Sequence, residues 1–338
     1  MIDTISIKIK IHNFQGEYRE LNYFNELINK IEELNYCNIK KKFDDEIALV
    51  LSFPRFYSKT NAYLLTTRRE CNKVIREFIK SFFKVSYRYR DYNKWIKEKI
   101  RIKLIRVDTP MTYFMSKDKY FNDYQNIFYL LENIYKRNSK RIGKKNEIET
   151  IILFDGKTKD SSNSKITIYN QYKKFENIYP KSINILEREF KDLKYRIRIE
   201  LSKRINRKEF TIKEFKDFDF YVNYVYDYAQ EIRQILFDED EIERAWQNQI
   251  DLLIYRYKNS SNRLENFLWK NLNDIWDYEI IRKVLDRVIV NDNTYYKTCS
   301  QAKKFLEDRE EETGIIYFGI RKILYDMKKA CNLNRGGR

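Results

Sequence analysis

A single histidine, His12, stands in a chain of 338 residues. Its isolation excludes HExxH zinc centres and every site built on paired imidazoles. At the end of a strand-like segment it reads as a structural or solvent-exposed residue. Glycine and proline are also scarce, 7 and 3 in number, which argues against disorder, collagen-like repeats and a turn-rich sandwich. Neither a GxxxxGK[ST] phosphate loop nor a GxGxxG fingerprint occurs, which argues against ATP-driven and dinucleotide chemistry. Cys37, Cys71, Cys299 and Cys331 form no CxxC pair and read as free thiols of a reducing cytoplasm. No apolar run approaches the roughly 20 residues of a transmembrane helix. The N-terminus opens directly into a strand-like alternation, with no signal-peptide pattern. The expectation is a soluble, cytoplasmic protein with no membrane partner.

What is abundant is positive charge. Lys and Arg total 67 against 50 Asp and Glu, a net charge of +17. Such a field attracts polyanions, nucleic acid above all. The same richness in Lys, Asn, Ile, Tyr and Phe is also what an AT-rich genome writes into every protein. The 28 Tyr and 22 Phe suit base stacking and equally suit a core, for which a 43% hydrophobic content is sufficient.

Ile5, Ile7, Ile9 and Ile11 alternate with Ser6, Lys8 and Lys10, the signature of a half-buried strand. Helical spacing recurs over Leu21–Leu34, Thr67–Phe83 and Asp118–Lys136, and short strands are expected at Ile47–Phe53 and at Ile100–Thr109, the latter ended by Pro110. Glu149–Phe154 and Lys165–Tyr169 flank a polar, turn-rich loop and read as a hairpin. Pro180 opens a helix, and Tyr195–Leu201 alternates again. After Asn206 the strand pattern stops. Thr211 and Glu214 form a capping-box signature, and helical stretches follow at Glu239–Tyr257, Asn262–Tyr278 and Ile280–Val290. The expected fold is α+β: an antiparallel-sheet, nuclease-like domain in 1–205 with helices on one face, then a mainly helical domain in 206–338. The acidic run Asp238–Glu243 fits the first turn of a helix, where the dipole favours carboxylates.

With imidazoles and thiol pairs excluded, a metal site must use carboxylates, whose hard oxygens favour Mg²⁺ or Mn²⁺. Three segments put polar residues on one strand face. Arg106 and Asp108 share a face, as do Lys165, Thr167 and Tyr169, and as do Arg196, Arg198 and Glu200. If these strands lie in one sheet, carboxylates, a tyrosine and arginines converge on its polar surface. The plain alternative is a solvated sheet face laced with salt bridges.

At these same segments the chain resembles the phage and plasmid replication proteins of the gene II/X family, to which the filamentous-phage nicking enzyme belongs. Met1-Ile2-Asp3 runs straight into an alternating strand. Arg106-Val107-Asp108 resembles the family's R-[IV]-D. Ile168-Tyr169, followed by Lys173, Lys174 and Glu176, is similar to its tyrosine segment, and Arg198-Ile199-Glu200 to its later R-x-E strand. Cys299–Tyr325 is similar to its closing basic-aromatic helices. Gln171 departs from the pattern, standing where the family often has Lys, and Tyr172 competes with Tyr169 for the nucleophile's role.

The resemblance implies a rolling-circle replication initiator. A tyrosine, Tyr169 or else Tyr172, attacks phosphorus and leaves a 5′-phosphotyrosine and a free 3′-OH primer. Asp108 and Glu200 would hold Mg²⁺ or Mn²⁺ at the scissile phosphate, with Arg106 and Arg198 clamping its oxygens. Lys165, Lys173, Lys174, Arg196, Arg321 and Lys322 are the expected DNA contacts. The substrate would be origin DNA, single-stranded or melted, and a host helicase and polymerase the further partners. A non-catalytic DNA-binding initiator or repressor is the alternative. A tyrosine recombinase is disfavoured, since its active site needs a histidine beside the catalytic arginine.

Overall fold

Alternating β-branched residues dominate the strands, which assemble into one eight-stranded antiparallel sheet. In the computed structural model, residues 2–84, 91–135, 137–143, 147–259 and 264–331 are described, and the side chains of 206–208 lie outside that description along with Met1, Lys136 and Asn262. The strands are β1 (Thr4–Ile11), β2 (Cys37–Lys42), β3 (Glu46–Ser52), β4 (Ile100–Phe114), β5 (Asn138–Ile142), β6 (Thr150–Phe154), β7 (Ser164–Asn170) and β8 (Arg196–Thr211). Their spatial order is β2-β3-β1-β4-β8-β7-β6-β5. β2, β3, β1 and β4 form one block and β7, β6 and β5 another; β8 enters between β4 and β7 and joins them.

Fourteen helices of the described residues connect and follow the strands: α1 (Tyr18–Glu32), α2 (Phe53–Tyr57), α3 (Arg68–Ser81), α4 (Tyr92–Lys99), α5 (Gln125–Tyr135), α6 (Gln171–Ile178), α7 (Ile183–Glu189), α8 (Ile212–Asp217), α9 (Tyr226–Leu236), α10 (Glu239–Lys258), α11 (Leu264–Lys270), α12 (Tyr278–Val288), α13 (Asp292–Thr313) and α14 (Ile320–Ala330). The fold is α+β with an antiparallel sheet and a helical C-terminal region, as expected.

One face of the sheet is continuously apolar. Ile5, Ile7 and Ile9 of β1 stand beside Val107, Leu104 and Ile102 of β4, and across β8 Ile199 stands beside Met111 and Ile168. All are buried, and they share one hydrophobic cluster with Phe24 of α1, Phe78 of α3, Leu131 of α5, Ile232 of α9, Trp246 of α10 and Met327 of α14. A smaller cluster, with Phe175 of α6, Leu186 of α7, Ala62 and Leu193, lies apart from it. That cluster sits against the opposite, polar face, where Arg196 donates to the Ala62 carbonyl. Helices therefore cover part of the second face as well as the first.

Pro110 does not end its strand. Pairing with β1 stops at Thr4 and Asp108, while β4 continues along β8 to Phe114. Beyond Asp108 one flank of β4 faces no strand, and a missing N–H is tolerated there. Strand character also outlasts Asn206: β8 runs on to Thr211, so the expected boundary at 206 falls inside it. Its end is the capping box, in which Thr211 Oγ1 accepts from the Glu214 N–H and Glu214 accepts from the Thr211 N–H. The helix opened by Pro180 is short, starting at Ile183.

The acidic run does cap a helix: Asp238 accepts from the N–H groups of Asp240 and Glu241 at the start of α10. Gly314, at φ +77°, ends α13 where a Cβ would lie 2.7 Å from the Asp123 carboxylate. All four cysteines are free. No described helix is long and apolar enough to cross a membrane.

Because Trp246 is fully buried in the cluster that also lines the sheet, Trp246→Ala should cost about 3–5 kcal/mol. Helical circular dichroism and the fluorescence of the remaining tryptophans should still unfold together in urea. Two separated transitions would show that sheet and C-terminal helices have independent cores.

Candidate functional site

A single β-bulge decides what the polar face contains. Up to Leu104 the even-numbered residues of β4, Ile100 and Ile102 among them, point into the core. Around Ile105 the pairing of β4 with β1 slips in register by one residue and that with β8 by two. A one-residue slip exchanges the two faces. After it, Val107 and Met111 point inward while Arg106 and Asp108 emerge on the other side. Uninterrupted alternation would have driven both charges into the apolar layer.

On that polar face, β8 places Arg198 and Glu200 between β4 and β7. Arg198 lies opposite Thr112 on one side and Tyr169 on the other; Asp108 lies opposite Ser202 and Thr4. Tyr169, the penultimate residue of β7, donates its hydroxyl to Glu200 Oε2 at 3.3 Å. Asp108 accepts three hydrogen bonds. Its Oδ1 accepts from Ser202 Oγ at 2.6 Å, and its Oδ2 accepts from Arg106 Nη2 at 2.9 Å and from the Thr4 hydroxyl. Arg198 is wholly buried, donates to Thr112 Oγ1 at 3.1 Å and stands 3.7 Å from Asp3 Oδ1. Asp3 is held by its backbone between two strands, its N–H donating to the Asp108 carbonyl and its carbonyl accepting from Phe53. From α6, the Lys174 ammonium lies 4.1 Å from the centre of the Tyr169 ring.

The electrostatics follow from crowding. Burial, and then the neighbouring carboxylates Asp3 and Asp108, push the Glu200 carboxyl up to about 7, against the pull of Lys174 and Arg198. Burial also raises the Asp3 carboxyl, although Arg198 and Lys174 oppose it. Burial and then Glu200 push the Tyr169 phenol up to about 12, with Lys174 and Arg198 opposing. Desolvation works against the Lys174 ammonium, but Tyr169, Glu200 and Asp3 outweigh it, so this lysine holds its proton above the usual range.

The structure thus brings together Arg106, Asp108, Tyr169, Lys174, Arg198 and Glu200. It separates others from them. Tyr172 packs in the small cluster of α6 and α7, with Lys194 over its ring at 5.4 Å. Lys173 is paired with Glu176 at 2.6 Å. Lys165 shares the face of Tyr169 and is half-buried. Arg196 is buried and spent inside the fold, on both Asp192 oxygens and on the Ala62 carbonyl, so it presents no charge to a DNA backbone. Arg321 is likewise engaged, with Glu243 at 2.8 Å and over the Trp246 ring at 4.4 Å, whereas Lys322 is exposed. His12 is exposed at the end of β1.

Sequence reasoning passed over Asp3 as a site residue, together with Thr4, Ser202 and Thr112. Only its place immediately before an alternating strand could have pointed to it. No protein-family model, curated protein or solved structure matches the chain.

For a divalent ion the donors are of the right chemistry. Among the described residues no three His, Cys, Asp or Glu stand close enough to form a complete cage, and Asp108 already accepts from Ser202, Arg106 and Thr4. Asp3 Oδ1 is buried and accepts no hydrogen bond among the described residues, and Glu200 accepts from Tyr169. Asp3 Oδ1 is thus the oxygen left for an ion of the Mg²⁺ kind, which is bound through one or two carboxylates and completes its shell with substrate phosphate and water.

A raised carboxyl binds more protons folded than unfolded, so its contribution to stability is full at low pH and is lost as pH rises through the folded value. Between the ordinary value of 4.5 and about 7, ionising Glu200 destabilises the protein. Glu200→Gln should therefore match the parent's Tm near about pH 4 and exceed it by about pH 8. A variant less stable at the alkaline end would show that the Glu200 charge is compensated.

Proposed function

We propose that the polar face of the sheet is the active site of an enzyme that nicks and transfers one DNA strand, of the kind that initiates rolling-circle replication. The observation that carries this reading is the Tyr169 phenol hydrogen-bonded to Glu200, with Lys174 over its ring and Arg198 beneath. It unites a nucleophile, a base and cations suited to a phosphodiester.

A phenol held near 12 is protonated at neutral pH, so attack needs a base. A carboxyl near 7 is about half ionised there and is matched to that task. Tyr169 passes its proton to Glu200 as its oxygen bonds phosphorus. The P–O3′ bond breaks, and the departing oxygen takes the proton back from Glu200, leaving a 3′-OH and a 5′-phosphotyrosine. Lys174 stabilises the developing phenolate. Arg106, partly exposed beside Asp108, takes a phosphate oxygen, while buried Arg198 positions Asp3 and contributes its field. Mg²⁺ or Mn²⁺, held by Asp3, would polarise the phosphate and leave Glu200 free to carry the proton. Asp108, with three donors on it, acts by fixing Arg106 rather than as a ligand. Tyr169 is only 5% exposed, which suits an unpaired or melted origin strand rather than intact duplex. A host helicase and polymerase would then act at the new 3′-OH.

The engagement of Asp108 with Ser202, Arg106 and Thr4 favours a second reading, in which the face is a structural polar layer and the protein binds DNA without cutting it. The two differ in one product. With an origin plasmid and Mg²⁺ or Mn²⁺, quenched in detergent, the parent should yield a covalent protein–DNA adduct and Tyr169→Phe none, with non-covalent binding retained. The nicking rate should rise with pH through about 7, as Glu200 loses its proton. An adduct persisting in Tyr169→Phe moves the nucleophile to Tyr172; no adduct from the parent on its own origin leaves the binding-only reading.

A further inference from the structure

At the far end of β8 from Glu200, where the strand gives way to α8, a groove of about 800 Å³ opens between α3, α4 and α8. The stretch of β8 from Glu200 to Thr211 pairs with Pro110 to Arg101 of β4, nine steps or roughly 30 Å at about 3.3 Å per residue. The groove has a basic rim and an apolar floor. Arg76 of α3, Lys97 of α4 and Lys213 and Lys216 of α8 stand around it, all four exposed. Among the described residues none of these four has a carboxylate partner. The one acidic side chain of the lining, Glu77, is paired with Lys80 at 3.4 Å. Phe83 and Ile212 form the floor.

This pairing of features selects among polyanions. A duplex could lay its phosphates along the rim, but its bases are stacked inside and cannot reach the floor. An unpaired strand can do both at once, with phosphates on the cations and base faces on the aromatic and aliphatic surface, the combination that single-strand sites use. The volume lies in the range of sites that enclose a ligand of modest size, enough for bases to enter rather than merely pass over. We propose that the groove between α3, α4 and α8 binds single-stranded nucleic acid, as a second contact remote from Tyr169. It rests on the reading of this protein as DNA-handling, and it assigns the groove to the unpaired strand.

The test uses the full chain and a fluorescent oligo-dT of about 15 nucleotides, within the span of known single-strand sites, read by anisotropy at low salt. Charge reversal on two helices, Lys97→Glu with Lys216→Glu, should weaken binding roughly tenfold or more and flatten its salt dependence, since fewer counterions are released. Unlabelled duplex of equal length should compete poorly. Circular dichroism and Tm of the double variant, both changes being at exposed positions, verify that it folds; Phe83→Leu gives a second measure through the floor. Unchanged oligo-dT affinity in the folded double variant overturns the proposal, as does equal competition by duplex. Light scattering that shows the substitutions altering self-association instead would give the groove to a second copy and overturn it too. A parent that forms its covalent adduct while the double variant binds oligo-dT normally would sink this inference alone; a parent that binds no DNA sinks both.

Discussion

A guanidinium with no solvent exposure lies at the centre of the polar face, and the surrounding side chains are arranged to make that tolerable. Arg198 cannot shed its charge, and an isolated buried ion is too costly to keep. Thr112 accepts from it and Asp3 stands beside it. Asp3 in turn requires cations, and Lys174 and Arg55 face it along with Arg198. The result is a layer in which carboxylates and cations hold one another out of water. Such layers contribute little net stability compared with an apolar equivalent. The charges of this layer are therefore kept by one another's presence rather than by a net gain over an apolar face.

The bulge at Ile105 gives this layer its membership. It leaves the apolar side of β4 continuous with β1 and β8, and it delivers Arg106 and Asp108 to the polar side. The same slip lets Asp108 meet Thr4 and Ser202 from two flanking strands. Rigid sheet positions fix these groups more tightly than loops would. Lys174 differs: it reaches the layer from a helix rather than a strand, and its ammonium is drawn in over the Tyr169 ring.

Much of this was legible in the chain. The alternations of β1, β7 and β8 and the helical periods of α1 and α3 are written in apolar spacing, and the capping residues at Thr211 and Asp238 carry their own chemistry. The edge strands were not legible. β2, with Lys40–Lys42, and β5, with Lys140 and Arg141, are exposed and carry no apolar stripe, as befits edges that discourage further pairing. Pro110 misled because a proline signals a break unless one flank of its strand is empty. The shared face of Arg198 and Glu200 followed from their spacing. The adjacency of β4, β7 and β8, which brings Tyr169 to Glu200, depends on pairings across as much as a hundred residues and leaves no local mark. Arg196 has the same alternation as Arg198, yet an acid four residues earlier, Asp192, and the Ala62 carbonyl absorb it.

The strand order has a consequence for the order of events during synthesis. β1 to β4 can pair among themselves once the first 114 residues are free, and β5 to β7 form a meander of their own. Neither block contains the whole polar cluster: Asp3 and Asp108 belong to the first, Tyr169 to the second, and Arg198 and Glu200 arrive with β8. Insertion of that strand is a long-range step, and contacts of high sequence separation are slow to form. Until it happens, two half-sheets expose bare pairing edges to the cell, the condition in which partly folded chains aggregate. Tyr169 and Glu200 meet only at this closure, so a nascent or truncated chain that ends before β8 lacks both their contact and the buried Arg198 at the centre of the polar layer.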